Sequence, residues 1–481
     1  MTPLAEQTRW IDALEQAELV AGGQVAPVEL VTAAIERIEA LDGPLNAVNL
    51  RWFDAALAAA ASPDLPDGPF RGVPFLLKDL WATFDGQPLT NGNPALAKAR
   101  PIGSADTTLV ARYRNAGLVV LGRTASPEWG SLPTTEPEAY GPTRNPWDLS
   151  RSPGGSSGGS AVAVATGMVP FAHASDGGGS IRIPASACGL VGLKPSQGRI
   201  TLGPQRDESG LGVEHCVSRT VRDTAALLDA THGPGVGDTV IAPRPTGRYI
   251  DEVGIDPGRL RIGVLDHNPR GLPTHPECTA AAGNAAAMLV SLGHDVSEAW
   301  PAAMADASFG PRFGMLWATN MAIALARTSE LIGRELTEDD VEPVNWAMAG
   351  FAKHISSVDY AQALAAVVQY RRAVQGWWTT DGWDILVTPT LGDLPTTIGT
   401  FANDRSDPMA PSRASAAFVP FTPAFNASGQ PAISLPLHWT EAGLPVGVQL
   451  VAAYGREDLL LRLAGQLEAA SPWLHRYQTL A

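Results

Sequence analysis

Cysteine is scarce in this chain. Three residues in 481, Cys188, Cys216 and Cys278, lie far apart and never form a C-x-x-C pair. An odd, scattered set excludes a disulfide framework and a zinc knuckle, and leaves reduced, mostly buried thiols. Basic residues are also short: 34 Lys and Arg stand against 49 Asp and Glu, a net charge of −15. That balance opposes a phosphate-rich partner, so nucleic acid is not the expected ligand, and it opposes an anionic membrane surface. No apolar run reaches the roughly 20 residues that cross a bilayer. The longest low-polarity stretch, Ala161 to Ala174, is interrupted by Gly167, Pro170 and His173 and reads as a buried core helix. Met1 to Trp10 lacks the basic-then-apolar order of a signal peptide, which makes the cytoplasm the expected compartment. A G-x-x-x-x-G-K-[ST] phosphate loop is missing too, because Lys194 follows Gly189 and Gly192 in the wrong frame.

Short apolar runs alternate with helical patterns, the mark of an α/β sheet with helices on its faces. Leu4 to Ala21 and Pro27 to Leu41 predict two opening helices, separated by Gly22-Gly23. Strands are predicted over Gly72 to Leu80 and Leu118 to Gly122, with a helix over Thr107 to Ala116 between them. A second unit of the same kind runs from Leu260 to Leu265 through the Ala-rich helix Cys278 to Leu292 to Asp295 to Ala299. Ala305 to Trp378 carries helical periods without a strand and reads as a helical layer over one side of the sheet, on the substrate side. From Trp383 the strand signals return in Ile385 to Val387, Ala432 to Leu435 and Val446 to Val451, before a closing helix near Asp458 to Ala470.

Between Arg151 and Pro195 lie two clusters, Gly154-Gly155-Ser156-Ser157-Gly158-Gly159-Ser160 and Gly177-Gly178-Gly179-Ser180. Small residues this dense let backbone approach a ligand and aim several N–H groups at one point, as a developing oxyanion requires. Upstream, Lys78 closes the apolar run Val73 to Leu77 and precedes Asp79. Lysine has a reference pKa near 10.4, so only about one in 2,500 is neutral at pH 7; a basic role requires burial, at about 4 kcal/mol. The plain alternative is a strand-end lysine paired with Asp79. Gly154 to Gly158 also satisfies G-x-S-x-G, which would make Ser156 the nucleophile of a Ser-His-Asp hydrolase served by His215, His232 or His294. Asn426-Ala427-Ser428 fits a glycosylation sequon, read as chance without a secretory signal.

These residues closely resemble the amidase signature family, in which a lysine, a serine after a cis peptide and a nucleophilic serine hydrolyse C–N amide bonds. The family spacing between its two serines matches that from Ser156 to Ser180. By that resemblance Lys78 is the base, Ser156 the bridge and Ser180 the nucleophile; the Gly155-Ser156 peptide is cis; Gly177, Gly178, Gly179 and Ser180 supply the oxyanion hole; and Asp176 and Arg182 are supporting residues, with a purely structural ion pair as the alternative. The resemblance implies an acyl-enzyme cycle without metal or organic cofactor, and a mixed twisted sheet covered by helices on both faces. It runs nearly end to end, which predicts one unit over residues 1–481: a signature core of about 60–232, a helical layer of about 305–378 and core strands of about 383–470. Two departures stand out, Gly177 where members usually have Thr, and Ala125-Ser126-Pro127-Glu128 where Asn more often precedes the Pro-Glu pair.

Thr134 to Gly141, Leu331 to Glu342 and Ala453 to Leu460 are similar to the nylon-oligomer amidases of the family. Aminohexanoate amides, cyclic or linear, are the expected small-molecule substrates, with aryl amides, esters and carbamates also open. The glutamyl-tRNA amidotransferase A subunits typically read Ser-Ile-Arg-Gln-Pro at the nucleophile, whereas Ile183 fills the glutamine position here. A non-catalytic binding protein is disfavoured by the presence of all three catalytic types. Since the shared clusters supply shared chemistry, discrimination is expected from Phe313, Met315, Trp317 and Trp346, with ordinary helix packing as the alternative. A homodimer is left open.

Overall fold

The computed structural model describes residues 1–204 and 211–480. Positions 205–210 of the expected signature core, and residue 481, lie outside the described residues. Eleven strands are described: β1 (Val48–Arg51), β2 (Pro74–Lys78), β3 (Val119–Thr124), β4 (Phe171–Asp176), β5 (Val191–Lys194), β6 (Val213–Ser218), β7 (Arg261–Val264), β8 (Asp295–Glu298), β9 (Ile385–Pro389), β10 (Ala432–Trp439) and β11 (Pro445–Ala452). They form a three-stranded sheet, β1-β3-β2, and an eight-stranded sheet, β4-β6-β5-β10-β11-β9-β7-β8. In the large sheet β7 runs parallel to β8 and β9, and the remaining pairs are antiparallel. The expected mixed α/β architecture is what the chain adopts.

Side chains on a strand alternate between the two faces of a sheet, and here each face meets its own core. Ile385 and Val387 of β9 enter one apolar cluster, with Ile433, Leu435, Val446, Val448 and Leu450. Leu386, between them, enters a second cluster with Ala432, Val451, Val374 and Trp378. Helices Pro276–Ser291 and Glu457–Ala470 contribute to the first. Helices Phe309–Ile332 and Ser357–Thr379 contribute to the second, forming the predicted helical layer together with Pro343–Ala352.

Two readings of the sequence are corrected. Ala161 to Ala174 is not one helix: helix Gly158–Ala165 ends, Gly167 takes a left-handed φ of 74°, and Phe171 begins β4. Gly167 and Pro170, noted as interruptions, end the helix. The first predicted helix is likewise two, Pro3–Gln7 and Ala13–Ala21, because Asp12 caps the second by accepting from the Glu15 N–H.

β4 is an edge strand of the large sheet and lies beside β2 of the small one. The Lys78 N–H donates to His173 Nδ1 at 3.2 Å, and the Phe75 and Phe171 rings meet at 5.2 Å. That junction brings Lys78 and the two glycine-rich loops together. All three cysteines are buried and unpaired, and burial raises their thiol pKa values. Among the described residues no helix is long and apolar enough to cross a membrane.

Candidate active site

Lys78 is the last residue of β2 and is completely buried. Its Nζ lies 2.7 Å from Ser156 Oγ and 2.9 Å from Ser175 Oγ. Asp79 is turned away, accepting from the N–H groups of Thr90 and Gly92 and from the Thr90 hydroxyl. The Gly155-Ser156 peptide is cis, as the family resemblance implied. Gly155 has no room for a side chain, since a Cβ there would stand 2.1 Å from the Thr134 carbonyl oxygen. The burial of Lys194 is equally complete, and it pushes that amine down to about 7, with the nearby Arg182 guanidinium acting the same way. Its Nζ donates to the Pro195 carbonyl instead of meeting a serine. Of the two buried lysines, only Lys78 contacts hydroxyls.

The loop after β4 is organised by Asp176. Its carboxylate accepts from the Gly179 N–H at 2.7 Å and the Ile181 N–H at 3.2 Å, one on each side of Ser180. Arg182 grips the same carboxylate with Nε and Nη2, each at 2.9 Å. Burial alone would raise the Asp176 pKa, but the charge and hydrogen bonds of Arg182 outweigh it and hold the group at about 2. The pair thus ties Arg182 to the loop that carries Ser180. Because the Gly179 N–H is committed to Asp176, the N–H groups of Gly177, Gly178 and Ser180 are the ones without a described partner. Gly179 itself has φ 133°, and a Cβ there would stand 2.3 Å from Thr422 Oγ1.

Several site residues escaped the sequence reading. Ser175 is the second hydroxyl on Lys78. Asn426, read only as part of a chance sequon, is buried and donates to both the carbonyl and the carboxylate of Asp176. Gln449 and Thr422 accept from Arg182 Nη1 at 2.6 and 3.0 Å. Glu128 is buried between Asn93 and Asn345, which donate to its carboxylate at 2.5 and 2.7 Å; the Glu342 N–H adds a third bond at 2.9 Å. Burial, and then the neighbouring Glu342, raise the Glu128 pKa; burial brings Glu342 to about 7. This cluster ties helix Pro343–Ala352 to the turn that carries Trp129 and Gly130 against Ser156. At the second departure from the family, the Ser126 hydroxyl donates to the Asp79 carbonyl.

Ser180 lies at the meeting of two cavities. One, of about 610 Å³, is lined by Phe309, Phe313, Met315, Met348 and Tyr370; the other, of about 130 Å³, by Leu80, Trp81, Trp129, Ser156, Asn320 and Arg327. Gly130, Trp317 and Ser180 line both. Phe313, Met315 and Trp317 line the larger cavity. Trp346 does not: it packs in an apolar cluster with Leu336, Val344 and Met348. Each helical residue turns the next by about 100°, and it is Ala347, Met348 and Phe351 that face the cavity. Gly177 has a counterpart here, since a Cβ on it would meet the Trp317 ring at 3.3 Å.

The histidines needed by the Ser-His-Asp alternative are engaged elsewhere. His215 Nε2 meets the Thr224 carbonyl and burial lowers its pKa to about 4; His294 contacts Gln466, and His232 sits edge-on to Tyr249. Among the described residues no three His, Cys, Asp or Glu side chains converge to hold a metal ion.

A buried lysine on a serine after a cis peptide, beside a glycine-rich loop, is the arrangement of an amidase signature hydrolase, an enzyme of amide C–N cleavage. The chain belongs to the amidase family, whose profile matches residues 29–461. It is 45% identical to the 6-aminohexanoate-cyclic-dimer hydrolase of Paenarthrobacter ureafaciens over 479 residues, 97% of this chain and 96% of that protein. A solved structure of 6-aminohexanoate cyclic dimer hydrolase superposes with a TM-score of 0.95 at 44% identity, covering 98% of this chain and 99% of that one. A bacterial aryl acylamidase of the amidase signature family follows at 0.87 and 27% identity, covering 98% of each chain.

Proposed function

We propose that Ser180 is the nucleophile, Ser156 the bridging hydroxyl and Lys78 the base of an amide hydrolase acting on aminohexanoate-type amides. The observation that carries the assignment is Lys78 Nζ at 2.7 Å from Ser156 Oγ, with Ser156 and Ser180 lining one cavity. Lys78 in its amine form takes the Ser180 proton through Ser156 while Ser180 Oγ bonds to the amide carbon. Gly177, Gly178 and Ser180 N–H groups stabilise the oxyanion. The C–N bond breaks as Ser156 returns a proton to the leaving nitrogen, and water then releases the acid from Ser180. Ser175, on the other side of the Lys78 amine, orients it toward Ser156.

The aminohexanoate preference rests on the likeness to the cyclic-dimer hydrolases; aryl amides, esters and carbamates need only the same acyl chemistry. Two rivals named from the sequence are less well supported. Ile183 replaces the glutamine typical of amidotransferase A subunits, and the three catalytic types are assembled, which disfavours a binding protein. Contacts such as Glu128 with Asn345, and Arg182 with Gln449, cross the three expected segments and support one unit. Cell fractionation tests the cytoplasmic location, and light scattering tests for a homodimer.

A serine-directed acylating probe should label Ser180 stoichiometrically, and Ser180→Ala should lose on the order of 10⁴-fold or more of amine release from a panel of cyclic and linear aminohexanoate oligomers, anilides and carbamates. Labelling of Ser156, or an active Ser180→Ala, would overturn the assignment.

A further inference from the structure

We propose that the two cavities divide the substrate in a fixed sense: the acyl group lies in the large apolar cavity and the leaving amine in the small one. The inference rests on the proposed roles of Ser180 and Ser156. The leaving nitrogen must receive its proton from Ser156, so the amine lies on the Ser156 side of the scissile bond. Ser156 lines only the small cavity, while Ser180 lines both. The carbonyl carbon therefore sits at the junction, its nitrogen points toward Ser156, and its acyl substituent extends the opposite way.

The chemistry of the two spaces agrees with that polarity. The acyl side offers about 610 Å³ walled by Phe309, Phe313, Met315 and Met348, which suits a long aliphatic or aromatic chain. The amine side offers about 130 Å³, with Asn320 and Arg327 beside the indoles of Trp81 and Trp129, which suits a compact amine bearing a polar or anionic end. Arg327 forms no ion pair with a described residue. One element spans both: helix Phe309–Ile332 puts Phe313 and Gly314 over the acyl side, Trp317 over Ser180, and Asn320 and Ala324 over the amine side. Position along this helix thus reads out substrate direction.

The test uses Gly314→Phe and Asn320→Phe in the full chain. A Cβ at Gly314 meets nothing within 4 Å, so its ring has room to enter the acyl side. Two ratios of kcat/KM are measured: octanamide to acetamide, and N-naphthyl octanamide to octanamide. Gly314→Phe should lower the first by about 10-fold or more and leave the second within about two-fold; Asn320→Phe should do the reverse. Ile323→Trp, at an exposed position of the amine side, is a second probe should Asn320→Phe fold poorly. The opposite assignment of ratios, or both variants moving both ratios alike, would overturn the inference. Acyl-probe labelling in the same samples separates the two levels, because a folded wild-type protein that neither labels at Ser180 nor releases amine would overturn the underlying assignment instead.

Discussion

The segment that carries Ser156 and Ser180 and the helix above it obey opposite constraints. Between Ser152 and Gln197 every residue is buried except Gly177 and Gly178, the two that open onto the cavity junction. In helix Phe309–Ile332 only Leu316, Ala318, Met321, Ala324 and Thr328 are buried. The first region holds its geometry through charged and polar contacts closed on all sides, so a change there has nowhere to relax. The second is anchored by one stripe and presents the rest to cavity or solvent. On the proposed assignment, reaction type belongs to the former and substrate choice to the latter.

Arg182→Met should give the largest stability effect, because it leaves Asp176 as an unpaired buried charge. A loss of about 3 to 5 kcal/mol is expected in urea unfolding, and a change under 1 kcal/mol would contradict the closed-network account. Lys78→Arg keeps a cation but cannot supply an amine base, so amide turnover at neutral pH should fall by about 100-fold or more. Near-wild-type turnover would mean that charge alone suffices. On the other side of the comparison, Trp317→Ala should change the ratio of kcat/KM between bulky and small amides by about 10-fold. If it only destabilises the fold, by about 3 to 5 kcal/mol, with that ratio unchanged, the helix is packing and not selecting.

The link between the regions should show in pH. Glu342 is a carboxylic acid whose pKa burial raises to about 7, so the folded state holds its proton more tightly than the unfolded state. Stability from this group is present at low pH and declines as pH rises from about 4.5 toward 7. Glu342→Gln should flatten that part of the Tm profile; an unchanged slope would contradict the shift. The smallest effect is expected at Arg327, which is exposed: Arg327→Gln should lower kcat/KM for linear, carboxylate-bearing oligomers relative to the cyclic dimer by about two- to five-fold, in keeping with the modest worth of exposed charges. Equal effects on both would remove Arg327 from substrate recognition.

The parts legible in the sequence are those that local pattern controls. Glycine and serine density marked both loops, apolar runs marked β2, β3, β9 and β11, and helical periods marked the layer above the sheet. Lysine rarity adds a signal, since Lys78 is one of only four lysines in the chain. What stayed hidden depends on distant partners. Asn426 and Gln449 join Asp176 and Arg182 from about 250 residues away, and no local spacing encodes such a meeting. Trp346 and Trp317 carry the same side chain in similar helices, and only the rotation of each helix separates packing from cavity. The stretch to Ala174 misled because apolar side chains alone do not distinguish a buried helix from a buried strand.

A Cβ on Gly177 would stand 3.3 Å from the Trp317 ring, close enough that the ring would have to give by a few tenths of an ångström, so loop residue and indole are fitted to each other. A threonine at position 177 would press its side chain on the Trp317 ring beside Ser180, whereas glycine leaves the indole its place. A chimera that exchanges this helix should therefore keep residue 177 and position 317 from the same parent.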